Sequence, residues 1–293
     1  MYLILYYKIH GKFGGGRLMG HIKKQIGHIL GNLFTIFMSL IVILPIVVLV
    51  INSFKSQGEA NKMSLALPKE WVFENYKIVI EQGKLVSSFF NGMLYGIASV
   101  IIIVIVVMAA SFVISRNQKG INRFVYYFII SGIAMPINNV ALMKVMQAFH
   151  LVNTRVGLIL LYAAINIPLS LFLAYGFVGT IPREIDEAAV IDGCTPINLF
   201  LRIITPLLKP IMSTLFVLNF MAVWNDFTMP LYYLNNSRKW PMTLAVYNFF
   251  GAYENSWNLV SADIVLTLLP VLLIFILGQK YIVGGVSAGA VKG

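Results

Sequence analysis

Apolar residues occupy this chain in long blocks set apart by short clusters of charge. Thirty uncharged residues lie between Lys24 and Lys55, thirty-one between Lys84 and Arg116, twenty between Arg123 and Lys144, and twenty-seven between Arg155 and Arg183. A helix needs about 20 apolar residues to cross a hydrocarbon core of about 30 Å, so each block predicts a transmembrane helix. Two further blocks, Pro210 to Tyr233 and Leu259 to Gln279, are each interrupted by one acid, Asp226 and Asp263. Counted together, these blocks predict six spans.

Composition agrees with that reading. Of 293 residues, 59% are hydrophobic and only 11% charged, against roughly 25% charged in an ordinary soluble domain. The net charge of +11 reads as topology rather than as a nucleic-acid footprint. An even number of spans puts both termini on one side, and thirteen of the 22 Lys and Arg residues fall there: the N-terminal cluster, Arg116, Lys119, Arg123, Arg183, Arg202, Lys209, Lys280 and Lys292. Eight fall on the other side, five of them in the loop from Lys55 to Lys84. The positive-inside bias therefore predicts a multi-pass protein of the cell membrane with both termini cytoplasmic.

Cys194 is the single cysteine, which excludes an intrachain disulfide and a thiolate metal site. Residues 1–28 read as a cytoplasmic leader. Its first 18 residues carry a Gly-rich stretch with no Walker A pattern, and Met19 is an alternative start, so removing residues 1–18 is expected to leave activity intact. The external segment after the first span, with Pro68, Trp71 and Tyr76, predicts one or two interfacial helices. Gly27 with Gly31, and Gly92 with Gly96, have the spacing that lets helices approach closely. Pro136 and Pro168 lie inside predicted spans, where a freed carbonyl favours a position facing protein or a cavity. No catalytic constellation is present: His10, His21, His28 and His150 are scattered, and no carboxylate pair sits beside a nucleophile.

The hydrophilic interruption at 180–209 is the most specific stretch. Ile181-Pro182-Arg183-Glu184 predicts a helix start with proline in the first turn and with Glu184, Asp186 and Glu187 at the positive end of the dipole. Gly193 predicts a left-handed helix end, after which Thr195 caps and Pro196 opens a second helix. The product is helix, glycine hinge, helix, held at the membrane surface. A second polar string, Trp224-Asn225-Asp226-Phe227, falls in the fifth span, where polar side chains are costly and face a cavity or partner. An indole can cover the C–H face of a sugar while amide and carboxylate groups take its hydroxyls. Asn138 and Asn139, after Pro136, are a second polar cluster. Trp224 and Asn225 are read either as solute contacts or as gating elements, and Asn138 and Asn139 as a candidate lining of the path.

Spelled Glu187-Ala188-Ala189-x-x-Asp192-Gly193-x(9)-Ile203-x-x-Pro206, the loop resembles the coupling loop of ABC importer permeases, with Thr205 where that family has leucine. The Trp224 string and the terminal Ser287–Gly293 after Gly284-Gly285 are also present in carbohydrate-importer permeases. Together they make residues 29–293 resemble the shorter permease subunit of maltose-type ABC sugar importers. The resemblance implies an all-α integral membrane protein of six helices with type I importer architecture: a permease domain over 29–282 and a cytoplasmic tail over 283–293. It also implies coupling to an ATPase through Glu187, Ala188, Ala189, Asp192, Gly193 and Pro206, and a substrate path past Trp224, Asn225, Asp226, Asn138 and Asn139. The implied partners are a second permease, two ATP-binding subunits that hold ATP and Mg, and an extracytoplasmic sugar-binding protein. This chain itself would carry no cofactor and catalyse no reaction. The competing reading is a secondary transporter or a permease for another small polar solute, for which Asp226 and Asp263 are the only acids within spans.

Overall fold

The structure, a computed structural model, describes residues 29–249 and 256–290, with side chains placed for 29–249 and 256–279. The leader 1–28, with Met19 and Gly27, and the side chains of the 283–293 tail lie outside the described residues.

Among the described residues every regular element is helical. In chain order they are α1 (Ile29–Ser53), α2 (Gln57–Ala60), α3 (Glu74–Gln82), α4 (Leu85–Arg116), α5 (Gly120–Ser131), α6 (Asn139–Ala148), α7 (Arg155–Val178), α8 (Glu184–Ile191) and α9 (Pro196–Asn198). A π turn (Leu199–Ile204), α10 (Thr205–Leu207), α11 (Lys209–Asn225) and α12 (Thr228–Tyr233) follow. Then come a 3-10 turn (Ser237–Lys239), α13 (Met242–Ala245), a 3-10 turn (Val246–Phe249) and α14 (Trp257–Ala290). The segment expected to hold one or two short helices holds two, α2 and α3. The backbone of α14 carries helix beyond residue 282 into the tail segment.

Helices α1, α4, α7 and α14 are each long and apolar enough to cross a membrane, and α11 joins them when counted with the segment Pro196–Leu207, from which it is bent by 71°. The expected third and fifth spans are not single helices. The third breaks over 132–138, where Pro136 supplies no N–H and Asn138 starts a new helix by accepting the Val140 and Ala141 amides at 3.1 and 3.0 Å. The fifth ends at Asn225, because Asp226 takes an extended conformation and restarts the chain as α12.

Helix α4 is the centre of the bundle, packed against α7 on one side and α11 on another, with α14 against α11. In lipid there is little hydrophobic drive to bring helices together, so close van der Waals fit decides which faces meet. Small residues provide that fit. A Cβ at Gly96 would lie 2.7 Å from the Phe220 ring, and one at Gly92 would lie 3.3 Å from Trp224. Gly278 of α14 meets Val217 of α11 in the same way. Gly31 touches nothing, in keeping with α1, whose apolar window has no buried residue. Pro168 sits inside α7, and its ring lies 3.1 Å from where a Gly132 Cβ would stand. The proline of one span is thereby seated at the break in another.

Candidate coupling loop and polar path

Local chemistry shapes the 180–209 loop. Glu184, Asp186 and Glu187 occupy the first turn of α8, where their charge opposes the unpaired N–H groups. Pro182 stands just ahead of that turn rather than inside it, since Arg183 is the residue flanking the helix. At the other end Gly193 adopts φ +77°. Its amide bonds to Val190 O at 3.0 Å while the Cys194 amide reaches Ala189 O at 2.9 Å. This pair of bonds is a Schellman ending, which requires the left-handed residue that glycine supplies without strain. Thr195 then accepts the Asn198 amide at 3.4 Å, and Pro196 opens α9.

The second helix widens into a π turn over Leu199–Ile204. Pro206 explains the widening: it has no N–H for the carbonyl four residues back, and its ring crowds that carbonyl. The Thr205 amide bonds to Phe200 O, the five-residue step of a π turn, and its hydroxyl donates to the same oxygen at 2.8 Å. Ala189, Leu199, Ile204 and Leu208 turn into the core with Ile114, Val178 and Ile181. Glu187, Ala188, Asp192 and Pro206 are exposed. So are the apolar side chains of Val190, Ile191, Ile197 and Leu201, Ile191 to 85%. Exposed apolar side chains grouped in this way mark a contact surface, for protein or for membrane.

Sequence reasoning missed a set of charged contacts that tie this loop to the bundle. Arg116, the last residue of α4, pairs with Asp186 of α8 at 2.5 Å from Nε to Oδ2. Its NH2 group also donates to Asp186 Oδ1 at 3.3 Å and to Ile181 O at 3.2 Å. Arg183 donates back to Ser115 O at 3.3 Å. The one signal in the sequence was that Arg116 is the first charge after a long apolar block, which marks a helix end but names no partner.

The polar string of the fifth span lies toward the other end of the bundle, and the structure separates its members. Trp224 is 4% exposed, stacked on Phe220 at 5.6 Å and set edge-on to Phe89 at 5.8 Å, with Nε1 directed at Thr267 O at 3.5 Å. Asn225 is exposed at the end of α11. Asp226 accepts the Thr228 and Met229 amides at 3.2 and 3.0 Å and the Tyr162 hydroxyl at 2.8 Å. It therefore caps α12 and fastens it to α7. Asn138 is exposed and caps α6. Asn139 is half-buried, and its backbone oxygen accepts from the Tyr233 hydroxyl at 3.2 Å. Asp226 thus holds the start of α12 and Asn139 its end, while Trp224 packs on the α4 face at Gly92.

Comparison with known proteins places these features. Residues 108–287 match the family described as binding-protein-dependent transport system inner membrane component. The chain is 33% identical over 274 residues to the "Probable starch degradation products transport system permease protein AmyC" of Thermoanaerobacterium thermosulfurigenes, covering 93% of this chain and 98% of that one. It is 32% identical over 253 residues to the melibiose/raffinose/stachyose import permease protein MelC of Bacillus subtilis, covering 85% and 91%. The diacetylchitobiose uptake system permease protein NgcG of Streptomyces coelicolor is 32% identical over 261 residues, covering 88% and 86%. In fold, the chain matches a subunit of a bacterial ABC transporter that imports the acidic polysaccharide alginate, with a TM-score of 0.77 at 20% identity over 88% of this chain and 96% of that one. With a helical membrane bundle, a helix–glycine–helix loop and these relatives in agreement, the chain belongs to the family of binding-protein-dependent transport system inner membrane components, the permease subunits of ABC importers.

Proposed function

We propose that this chain is one of two permeases in an ATP-driven oligosaccharide importer, and that the α8–α10 loop is where an ATPase subunit docks. The observation that carries the reading is the exposed ridge of Val190, Ile191, Ile197 and Leu201 beside Glu187 and Ala188. Ala188 lets a partner backbone approach, and Glu187 offers a charge-assisted acceptor. The relatives' sugars supply the substrate class. The test is a complex reconstituted with its second permease, ATPase and binding protein, assayed for ATP-dependent uptake of radiolabelled maltotriose, raffinose and diacetylchitobiose. Uptake of at least one of them that stops when ATP is removed supports the reading. The alternative is an ion-coupled carrier, which would use Asp263, buried on α14 with Oδ1 unpaired. Uptake that ignores ATP and collapses with an ionophore would favour that carrier.

The proposed orientation places the α8–α10 loop in the cytoplasm, following the thirteen-to-eight bias in Lys and Arg. Reporter fusions at Gln57 and Asn236 are expected to read outside, and fusions at Gln118 and Thr195 inside. A reversed reading at Thr195 removes the docking argument.

For the path, we propose that Asn225, Asn138 and Asn139 meet the solute, that Asp226 shapes the turn beside them, and that Trp224 serves as a rigid wall behind. Amide hydrogen bonds contribute about 1 kcal/mol each, so alanine at Asn225, Asn138 or Asn139 is expected to change apparent uptake affinity several-fold without abolishing transport. The external Trp71, stacked on Phe73, is expected to tolerate alanine with unchanged affinity. Uptake kinetics on the four variants check this, and unchanged values throughout would assign recognition to the second permease.

A further inference from the structure

We propose that Arg116 and Asp186 form a clasp that carries displacement of α8 into α4, which makes them the positioning residues through which the loop acts on the membrane domain. This rests on the importer reading above and adds the intramolecular step that reading leaves open. Helix α8 also rests on the bundle through Ala189 and Ile185, which pack on the cluster holding Ile114 and Val178, and the clasp adds a directional polar link to that apolar contact. Between it and the ends of α4 and α7 lies an open cavity of about 480 Å³, lined by Ser115, Tyr175, Gly179, Thr180 and Glu184 together with the two arginines. Across that gap the direct polar links are the Arg116–Asp186 pair and the Arg183 bond to Ser115 O, which cross in opposite directions.

The pair has the properties a clasp needs. Its side chains are 14% and 17% exposed, so solvent screens it less than a surface pair. A planar guanidinium that donates to Oδ1 at 3.3 Å and sets Nε against Oδ2 in an ion-pair contact at 2.5 Å constrains orientation as well as distance. The guanidinium carbon also lies 6.0 Å from the centre of the Phe112 ring, and Phe112 packs on Phe200 at 5.3 Å. The end of α4 therefore engages both halves of the loop, α8 through Arg116 and the Leu199–Ile204 turn through Phe112.

The far end of α4 supplies the other half of the argument. This helix has 32 residues, about 48 Å at 1.5 Å per residue. Near its opposite end Asn91 donates to Arg238 O and Trp240 O at 2.9 and 3.2 Å and accepts from Arg155 at 3.1 Å. Tyr95 donates to Lys239 O at 2.7 Å. The same rod is thus pinned to α8 at one end and to the 238–240 segment at the other. A tilt imposed through Arg116 displaces the segment on the far side of the membrane.

The experiment measures sugar taken up per ATP hydrolysed by the full complex in proteoliposomes, using the sugar that the wild type imports from the panel above. Arg116→Gln and Asp186→Asn keep size while removing charge. Each is expected to lower sugar per ATP about fivefold at wild-type complex levels, and the charge-swapped pair Arg116→Asp with Asp186→Arg is expected to recover most of the ratio. Singles that keep the wild-type ratio, or a swap no better than the singles, overturn the clasp. Should a single variant fail to assemble, the swap decides alone: an assembled, coupled swap supports the clasp and an assembled, uncoupled one overturns it. A wild-type complex with no ATP-driven uptake overturns the importer reading and the clasp with it, whereas coupled singles beside a coupled wild type overturn the clasp alone.

Discussion

Gly193→Val is expected to cut ATP-driven sugar uptake and sugar-stimulated ATP hydrolysis together by about tenfold, with membrane insertion unchanged. The cause is backbone geometry. Nothing lies within 4 Å of a Cβ built at Gly193, so crowding inside the chain is not the cost, but φ is +77°. A β-branched residue there is strained by about 1–2 kcal/mol, enough to open the Schellman bonds of Gly193 and Cys194 and let α8 lose its angle to α9. Asparagine tolerates the left-handed region, so Gly193→Asn is expected to lose far less activity than valine. Glu187→Lys, which reverses the exposed charge on the same helix, is expected to behave like the valine variant. Uptake and hydrolysis assayed in one reconstituted preparation check all three. Wild-type activity in both Gly193→Val and Glu187→Lys would remove the loop from the coupling route.

Gly96→Val is expected to lower the stability of the whole bundle rather than one activity. The added Cβ would stand 2.7 and 2.9 Å from Phe220 ring atoms. That ring is 1% exposed and held between Phe216 at 6.1 Å and Trp224 at 5.6 Å, so it has no rotamer to retreat into. Overpacking of this kind costs about 1–3 kcal/mol, and in lipid no hydrophobic gain offsets it. The thermal midpoint of the detergent-solubilised protein should fall most for Gly96→Val and less for Gly92→Ala, whose Cβ meets Trp224 at 3.3 Å. Gly31→Val, with nothing within 4 Å, should leave it unchanged. Equal midpoints across the three would mean that α4 and α11 do not pack through this face.

Much of the bundle was legible because the hydrocarbon core imposes a length. An uncharged block long enough to cross has one economical backbone, a helix, whatever its neighbours do. That rule located α1, α4, α7 and α14 from composition. The α8 ending was legible for a related reason: a Schellman turn is closed within six residues, so Gly193, Thr195 and Pro196 carry their own instructions. The third and fifth spans were not readable in this way. Whether Asp226 ends a helix or faces a cavity depends on the Tyr162 hydroxyl, 64 positions away in sequence. Asn138 was legible as a polar residue after Pro136, but not as the cap whose Oδ1 starts α6.

The sequence by itself therefore determined four of the spans and the hinge of the loop, since each follows from hydrophobic length or from a turn closed within a few residues, and its charge count set the sidedness proposed above. Tertiary structure alone decided which side chains act together. Arg116 and Asp186 stand 70 positions apart, and no local pattern joins them. Trp224 faces Gly92 instead of an open channel because the side-chain-free surface of α4 accepts an indole there. Such pairings depend on how helices rotate and tilt when packed, and in a membrane that is set by fit between surfaces rather than by the pattern of any one of them.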